Sequence, residues 1–193
     1  LVPERGDQCL HSYYKYDINR GYKYTAFPQD FRMVSGDTFR RKYTAGNYKE
    51  RDPPPSQWKA LGQDTQEILA QRAIGFSCLN QNMESALTRH YLPDKAYLDA
   101  NCSWGLRTEV AFPQCWNGKD LDSKNHADHV AFPTANGECP KGFGVLFPKM
   151  WYEVIWDTNA FAKRRGRFVL SNGDVTGEGA VIGVLLCIRA DYD

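Results

Sequence analysis

Met150-Trp151-Tyr152-Glu153-Val154-Ile155-Trp156-Asp157 alternates with a period of two, so Met150, Tyr152, Val154 and Trp156 share one face while Trp151, Glu153 and Ile155 share the other. Both faces carry apolar side chains, which predicts a central strand covered on each side. The device recurs between Trp104 and Phe112, where Leu106, Thr108, Val110 and Phe112 point one way and Arg107, Glu109 and Ala111 the other. Towards the C-terminus, Phe168-Val169-Leu170 runs into the turn signal Ser171-Asn172-Gly173-Asp174, and Ala180 to Ile188 is an apolar run suited to a buried strand. Towards the N-terminus, Tyr13-Tyr14-Lys15-Tyr16 and Tyr22-Lys23-Tyr24, punctuated by Asp17, Asn19 and Gly21, read as a hairpin. Phe31-Arg32-Met33-Val34 reads as a short strand closed by Ser35-Gly36-Asp37.

Helical signals are few. Gln63 to Ala73 predicts a helix, with Asp64 as its cap, Glu67 three residues on, and Ile68, Leu69 and Ala73 as its apolar stripe. Pro53-Pro54-Pro55 predicts a polyproline II surface loop, since proline donates to no ladder. Asn80 to Asp99 carries Pro93 and little periodicity, and reads as an irregular connection. Many strands with one or two short helices predict a mostly β chain, an antiparallel β-sandwich or jelly-roll-like body forming one domain over residues 1–193.

The charges nearly cancel, 24 Lys plus Arg against 23 Asp plus Glu. No global field exists to draw the chain to phosphate backbones or anionic lipid, so neither nucleic acid nor a membrane is an expected partner. No run approaches the roughly 18 apolar residues that cross a bilayer. Six cysteines, Cys9, Cys78, Cys102, Cys115, Cys139 and Cys187, lie outside every Cys-x-x-Cys pattern, and the sequon Asn101-Cys102-Ser103 offers a glycosylation site at Asn101. Together they read as disulfides of a secreted, extracellular or wall-associated protein. Cys78 and Cys102 are 24 residues apart, as are Cys115 and Cys139. Cys115 precedes the Asn117-Gly118 turn and Cys139 follows the Asn136-Gly137-Glu138 turn, so their bond would clasp a long loop; Cys9 and Cys187, near the two ends, pair with each other or stay free.

Several long blocks carry a resemblance: Phe31 to Asp37, Ala73-Ile74-Gly75-Phe76-Ser77-Cys78-Leu79-Asn80, Leu92 to Cys102, Phe112-Pro113-Gln114-Cys115-Trp116-Asn117-Gly118-Lys119-Asp120-Leu121-Asp122-Ser123, His126 to Pro133, and Phe168 to Asp174. In this order they resemble a fungal secreted family catalogued as the domain of unknown function numbered nineteen ninety-six. The resemblance implies an exported protein, some relatives being fused to modules that bind cell-wall polysaccharide; no reaction comes with it. Two departures stand out. The family's His-x-His segment is missing ahead of these blocks, and Gly177 to Gly183 replaces the family's Gly-Tyr-Gly, His and Asp-Phe stretch, which makes the C-terminal tail divergent.

The chemistry gathers in Asp122-Ser123-Lys124-Asn125-His126-Ala127-Asp128-His129. Asp122, His126 and His129 offer one carboxylate and two imidazoles to a divalent metal ion, or an acid–base pair, or hydrogen bonds that merely shape the loop. Trp116, Arg107 and Lys124 are the expected substrate contacts. The expected function is action on, or binding of, cell-wall polysaccharide, by glycan cleavage if the chain is an enzyme. The alternatives are a secreted phosphodiester hydrolase and a non-catalytic effector or toxin-like protein. No P-loop or Gly-x-Ser-x-Gly elbow is present, which argues against nucleotide-dependent and α/β-hydrolase chemistry.

Overall fold

A computed structural model describes residues 11–15, 21–45, 52–81, 89–174, 176 and 186–189. Among them the chain is mostly β, with nine strands in three antiparallel sheets and three short α-helices. The largest sheet has the order β1 (His11–Lys15), β7 (Lys149–Trp156), β3 (Leu106–Ala111), β2 (Ile74–Cys78). A second places β4 (Cys115–Trp116) between β5 (Val130–Ala131) and β6 (Val145–Leu146). A third pairs β8 (Arg167–Leu170) with β9 (Leu186–Arg189).

The alternation in Met150 to Trp156 marks an internal strand as expected, but only one of its faces is covered by the core. β7 is internal, pairing with β1 on one side and β3 on the other, and its Met150 and Trp156 are buried with Tyr152 and Val154 packed beside them. Ile74, Phe76 and Cys78 of β2 and Leu106 and Val110 of β3 join the same core, together with Leu98 of a helix, α3, over Lys95–Asn101, the adjoining Cys102, and Phe168 and Leu170 of β8. The other face of the sheet is only half-covered: Trp151, Glu153 and Ile155 are partly exposed, and Tyr13 stacks on Trp151 with centroids 5.1 Å apart.

Five further local expectations are corrected. The tyrosine-rich hairpin does not form; β1 pairs with β7, and residues 22–24 lie in no strand. β-Propensity marks a strand but does not choose its partner, and the long β7 offers a better ladder than the short segment next door. Phe31 to Val34 is not a strand either: the N–H groups of Arg32 and Val34 donate to the carbonyls of Leu121 and His126, which ties this segment along the histidine loop. The proline run turns helical at its end, with Pro54 as N-cap and Pro55 opening α1 (Pro55–Trp58), because a first helical residue needs no N–H. The connection between residues 80 and 99 contains α3, capped where the Asp94 carboxylate accepts from the Tyr97 N–H at 2.7 Å. The expected helix is present as α2 (Gln66–Arg72), but Thr65 rather than Asp64 caps it, accepting from the Ile68 N–H. Of the apolar run 180–188, only the part in β9 lies within the described residues.

Gly105 shows how tightly β3 is led into the sheet. Its φ is +95°, and a Cβ there would collide with the Trp156 carbonyl oxygen. Gly105→Ala therefore lowers the unfolding free energy by roughly 1–3 kcal/mol from the strained φ alone, with the collision adding to it. Urea titration of the variant measures this; unchanged stability would mean that the β2–α3–β3 corner is not held as described.

Candidate functional site

The loop expected to carry the chemistry is the connection from β4 to β5. Cys115 pairs with Ala131 and Trp116 with Val130, and the Asn117 N–H extends the ladder to the His129 carbonyl at 3.1 Å. The side-chain oxygen of Asn117 then accepts from the N–H groups of Lys119 and Asp120, forming the turn that starts the loop, with Gly118 at φ +80°. Cys115 is bonded to Cys139 and Cys78 to Cys102, the two expected pairs. Cys9 lies outside the described residues, and of Cys187 only the backbone is described.

Residues 122–129 fold around two side chains. Ser123 Oγ and Asn125 Oδ1 each accept from the N–H groups of Ala127 and Asp128, at 3.0–3.1 Å. The Asn125 amide donates to Asp128 at 2.8 Å, and the His126 N–H donates to the Ser123 carbonyl. This winding forces His126 to φ +55°, the left-handed region that a non-glycine residue occupies only when its surroundings hold it there.

The loop sends its two histidines to opposite sides. His129 is 1% exposed, its Nδ1 lies 3.0 Å from Ser123 Oγ, and its ring packs on Phe31; its Nε2 is buried with no hydrogen-bond partner among the described residues. His126 is half-exposed, and its Nδ1 lies 2.5 Å from the Asp122 carboxylate. That hydrogen bond outweighs the cost of desolvation and, with the Ser123 N–H and the positive charges of His126 and Arg32, holds the Asp122 carboxyl below the usual range. In its neutral form, a His126 that donates Nδ1–H to this carboxylate keeps a lone pair on Nε2, the arrangement of a general base; in its charged form the same pair is an ion pair and an acid. Among the described residues no three His, Cys, Asp or Glu side chains gather to hold a metal ion, and Asp122, His126 and His129 do not form such a group.

The expected substrate contacts are scattered. The Trp116 ring stacks on Phe147 at 5.6 Å, meets Phe31 edge-on and donates its N–H to the Asp120 carbonyl, so it is built into the base of the loop. Lys124 is exposed beside the dyad. Arg107 stands on the half-covered face of the large sheet, 3.1 Å from Glu109, 3.7 Å from Glu153 and 3.2 Å from Ser77 Oγ. Asn101 is exposed at the end of α3, next to the disulfide-bonded Cys102. The basic run from Lys163 to Arg165 is exposed to solvent.

One cluster had no signal in the sequence. Asp52 sits in the proline-rich stretch, yet its carboxylate receives Arg72 Nε at 3.0 Å, His90 Nε2 at 2.9 Å and the Tyr43 hydroxyl at 3.0 Å. His90 Nδ1 is 2.6 Å from the Ile74 carbonyl, and its ring stacks on Tyr43. A carbonyl and a carboxylate only accept, so His90 is used here as a structural donor.

These features define a class: a mostly β, antiparallel, disulfide-bonded protein of the kind that matures in an oxidising compartment, with an Asp–His pair on a clasped hairpin loop. The chain belongs to the family described as "Domain of unknown function (DUF1996)", whose family model matches residues 2–183. No curated protein and no solved structure matches the chain. No helix among the described residues is long and apolar enough to cross a membrane.

Proposed function

We propose that the chain is an extracellular protein that acts on cell-wall polysaccharide, with Asp122 and His126 as its reacting pair. The observation that carries this reading is the dyad itself: an ionised carboxylate oriented on Nδ1 of a half-exposed imidazole, on a loop whose base is clasped by Cys115–Cys139. The disulfides and the exposed sequon at Asn101 support export. In this role Asp122 fixes the tautomer, and His126 Nε2 takes a proton from the water or sugar group that reacts. His129 and Ser123 hold the loop's shape and touch no substrate.

Incubation with glucans, chitin and uronans, read for new reducing ends and for unsaturated ends, tests the proposal. Turnover is expected, and His126→Ala lowers it by about 100-fold, the lower end of what a positioned base contributes, while Lys163→Ala leaves it unchanged. Retention of a glycan without turnover would remove the reacting role from the dyad and leave a binding protein. Neither retention nor turnover on any glycan would sink the whole reading.

A further inference from the structure

We propose that a groove at the junction of the large sheet and the β4–β5–β6 sheet binds an acidic sugar, with Lys15 and Lys149 holding its carboxylate. The inference rests on the polysaccharide reading for the sugar, and on this groove alone for the charge. Lys15 and Lys149 are direct partners in the antiparallel register of β1 and β7, so their side chains leave the same face of the sheet. Like charges directly opposite each other destabilise a strand pair, and an anion placed between them reverses the sign. Both lysines are exposed, and the one packing contact of either ammonium among the described residues is Lys149 over the Trp151 ring at 5.4 Å. No carboxylate among the described residues neutralises them.

The space in front of these lysines has a volume of about 160 Å³ and is walled by Tyr22, Tyr24, Gln114 and Leu146. That volume is close to that of a cavity able to take one six-membered ring. The walls are fixed. Tyr22 donates its hydroxyl to the Asn136 carbonyl at 3.0 Å and meets Tyr24 edge to face, which leaves aromatic surface for the apolar side of a pyranose. The Gln114 amide donates to the Phe147 carbonyl, and its side-chain oxygen remains as an acceptor for a sugar hydroxyl.

A second space of about 160 Å³ opens on the other side of Gln114 and Lys149, against Trp58, Phe132 and Pro133. The two share Gln114 and Lys149, so a chain of sugars bound here would lie with one ring over the pair of lysines and the next against mostly apolar surface, with Arg72, tied to Asp52, in its lining. This suits a chain of sugars carrying a carboxylate on a ring. A nucleic acid would need many phosphate contacts, and with a net charge of +1 the protein supplies no field for them.

Calorimetric titration of the full chain with a uronic-acid tetrasaccharide, a neutral hexose tetrasaccharide, inorganic phosphate and a single-stranded oligonucleotide decides the matter. The uronate is expected to bind at least about tenfold more tightly than the neutral sugar, a difference of about 1.4 kcal/mol. The double variant Lys15→Gln/Lys149→Gln is expected to lose that advantage while keeping its affinity for the neutral sugar, and to melt no lower than the unaltered protein, because the repulsion between the facing lysines is gone. Equal affinity of the unaltered protein for the uronate and the neutral sugar would overturn the acidic specificity and leave the polysaccharide reading standing. Binding of neither sugar would remove both. Phosphate binding as tightly as the uronate, or the oligonucleotide binding more tightly, would likewise overturn the assignment of an acidic sugar.

Discussion

Asp52→Ala lowers the unfolding free energy by about 3 kcal/mol, the lower end of what breaking a buried charged pair costs, because the Asp52 side chain itself is 27% exposed. The Arg72 side chain is only 4% exposed and His90 12% exposed; Arg72 Nε and His90 Nε2 lose their shared acceptor when Asp52 is truncated, while Arg72 keeps its bonds to Gln63 and His90 its contact with the Ile74 carbonyl. Tyr43, whose hydroxyl is held protonated by burial and by the Asp52 charge, loses its acceptor too. The same network has a signature in pH. Burial opposes ionisation of Asp52, but the hydrogen bonds and charges of His90, Arg72 and Tyr43 outweigh it and bring its pKa down to about 2 from the ordinary 3.8. A carboxyl depressed in the folded state stabilises fully above its unfolded pKa, and that contribution disappears as the pH falls through the folded value. The wild type therefore loses about 2 kcal/mol between roughly pH 4 and pH 2 that Asp52→Asn does not lose. Truncation costs more than this because it also strands two buried donors. Urea unfolding of both proteins at pH 6 and pH 2.5 makes the comparison; parallel losses would mean that folding does not lower the pKa of Asp52.

The second large effect belongs to the clasp. Cys115 and Cys139 close a loop with a separation of 24 residues, and the chain-entropy account gives about 3–4 kcal/mol for a bond that closes a loop of that size. Cys115→Ser/Cys139→Ser is expected to lose that stability, and its consequence reaches the chemistry. The bond anchors the foot of the loop that carries Asp122 and His126, and the turn before Cys139 holds Tyr22 through the Asn136 carbonyl. With the anchor gone, hydrolytic or lytic turnover falls further than in Cys78→Ser/Cys102→Ser, although both bonds span the same separation. Paired measurements of melting temperature and turnover separate the two effects. If the two double variants lose turnover in proportion to their stability alone, the clasp does not pre-organise the site.

The readable parts of this protein were those in which a short stretch states its own structure. The alternation through Met150 to Trp156 and Leu106 to Phe112 marked β7 and β3, and the turn after Leu170 marked the end of β8. The turns after Cys115 and before Cys139 made their bond readable, and Cys78–Cys102 formed as expected alongside it. α3 was also readable, since Pro93-Asp94 is a start signal, but the weak periodicity of its seven residues hid it. In the site, the sequence marked Asp122 and His126 by their company in one polar loop. It could not separate His126 from His129, because three residues of loop, unlike three residues of helix, set no common face.

What the sequence determined by itself is therefore local: period-two strands, capped helix starts, turns, and an oxidised cysteine framework. Tertiary structure decided the rest. It gave β1 to β7 instead of to its tyrosine-rich neighbour, brought Tyr43, Asp52, Arg72 and His90 into one network, buried His129 while leaving His126 at the surface, and set Lys15 opposite Lys149. Alternation, capping and turn geometry act between residues a few positions apart, so a short stretch records them. The choice of strand partner and the side to which a loop turns depend on which distant surfaces exclude water together, and that is settled only when the whole core closes.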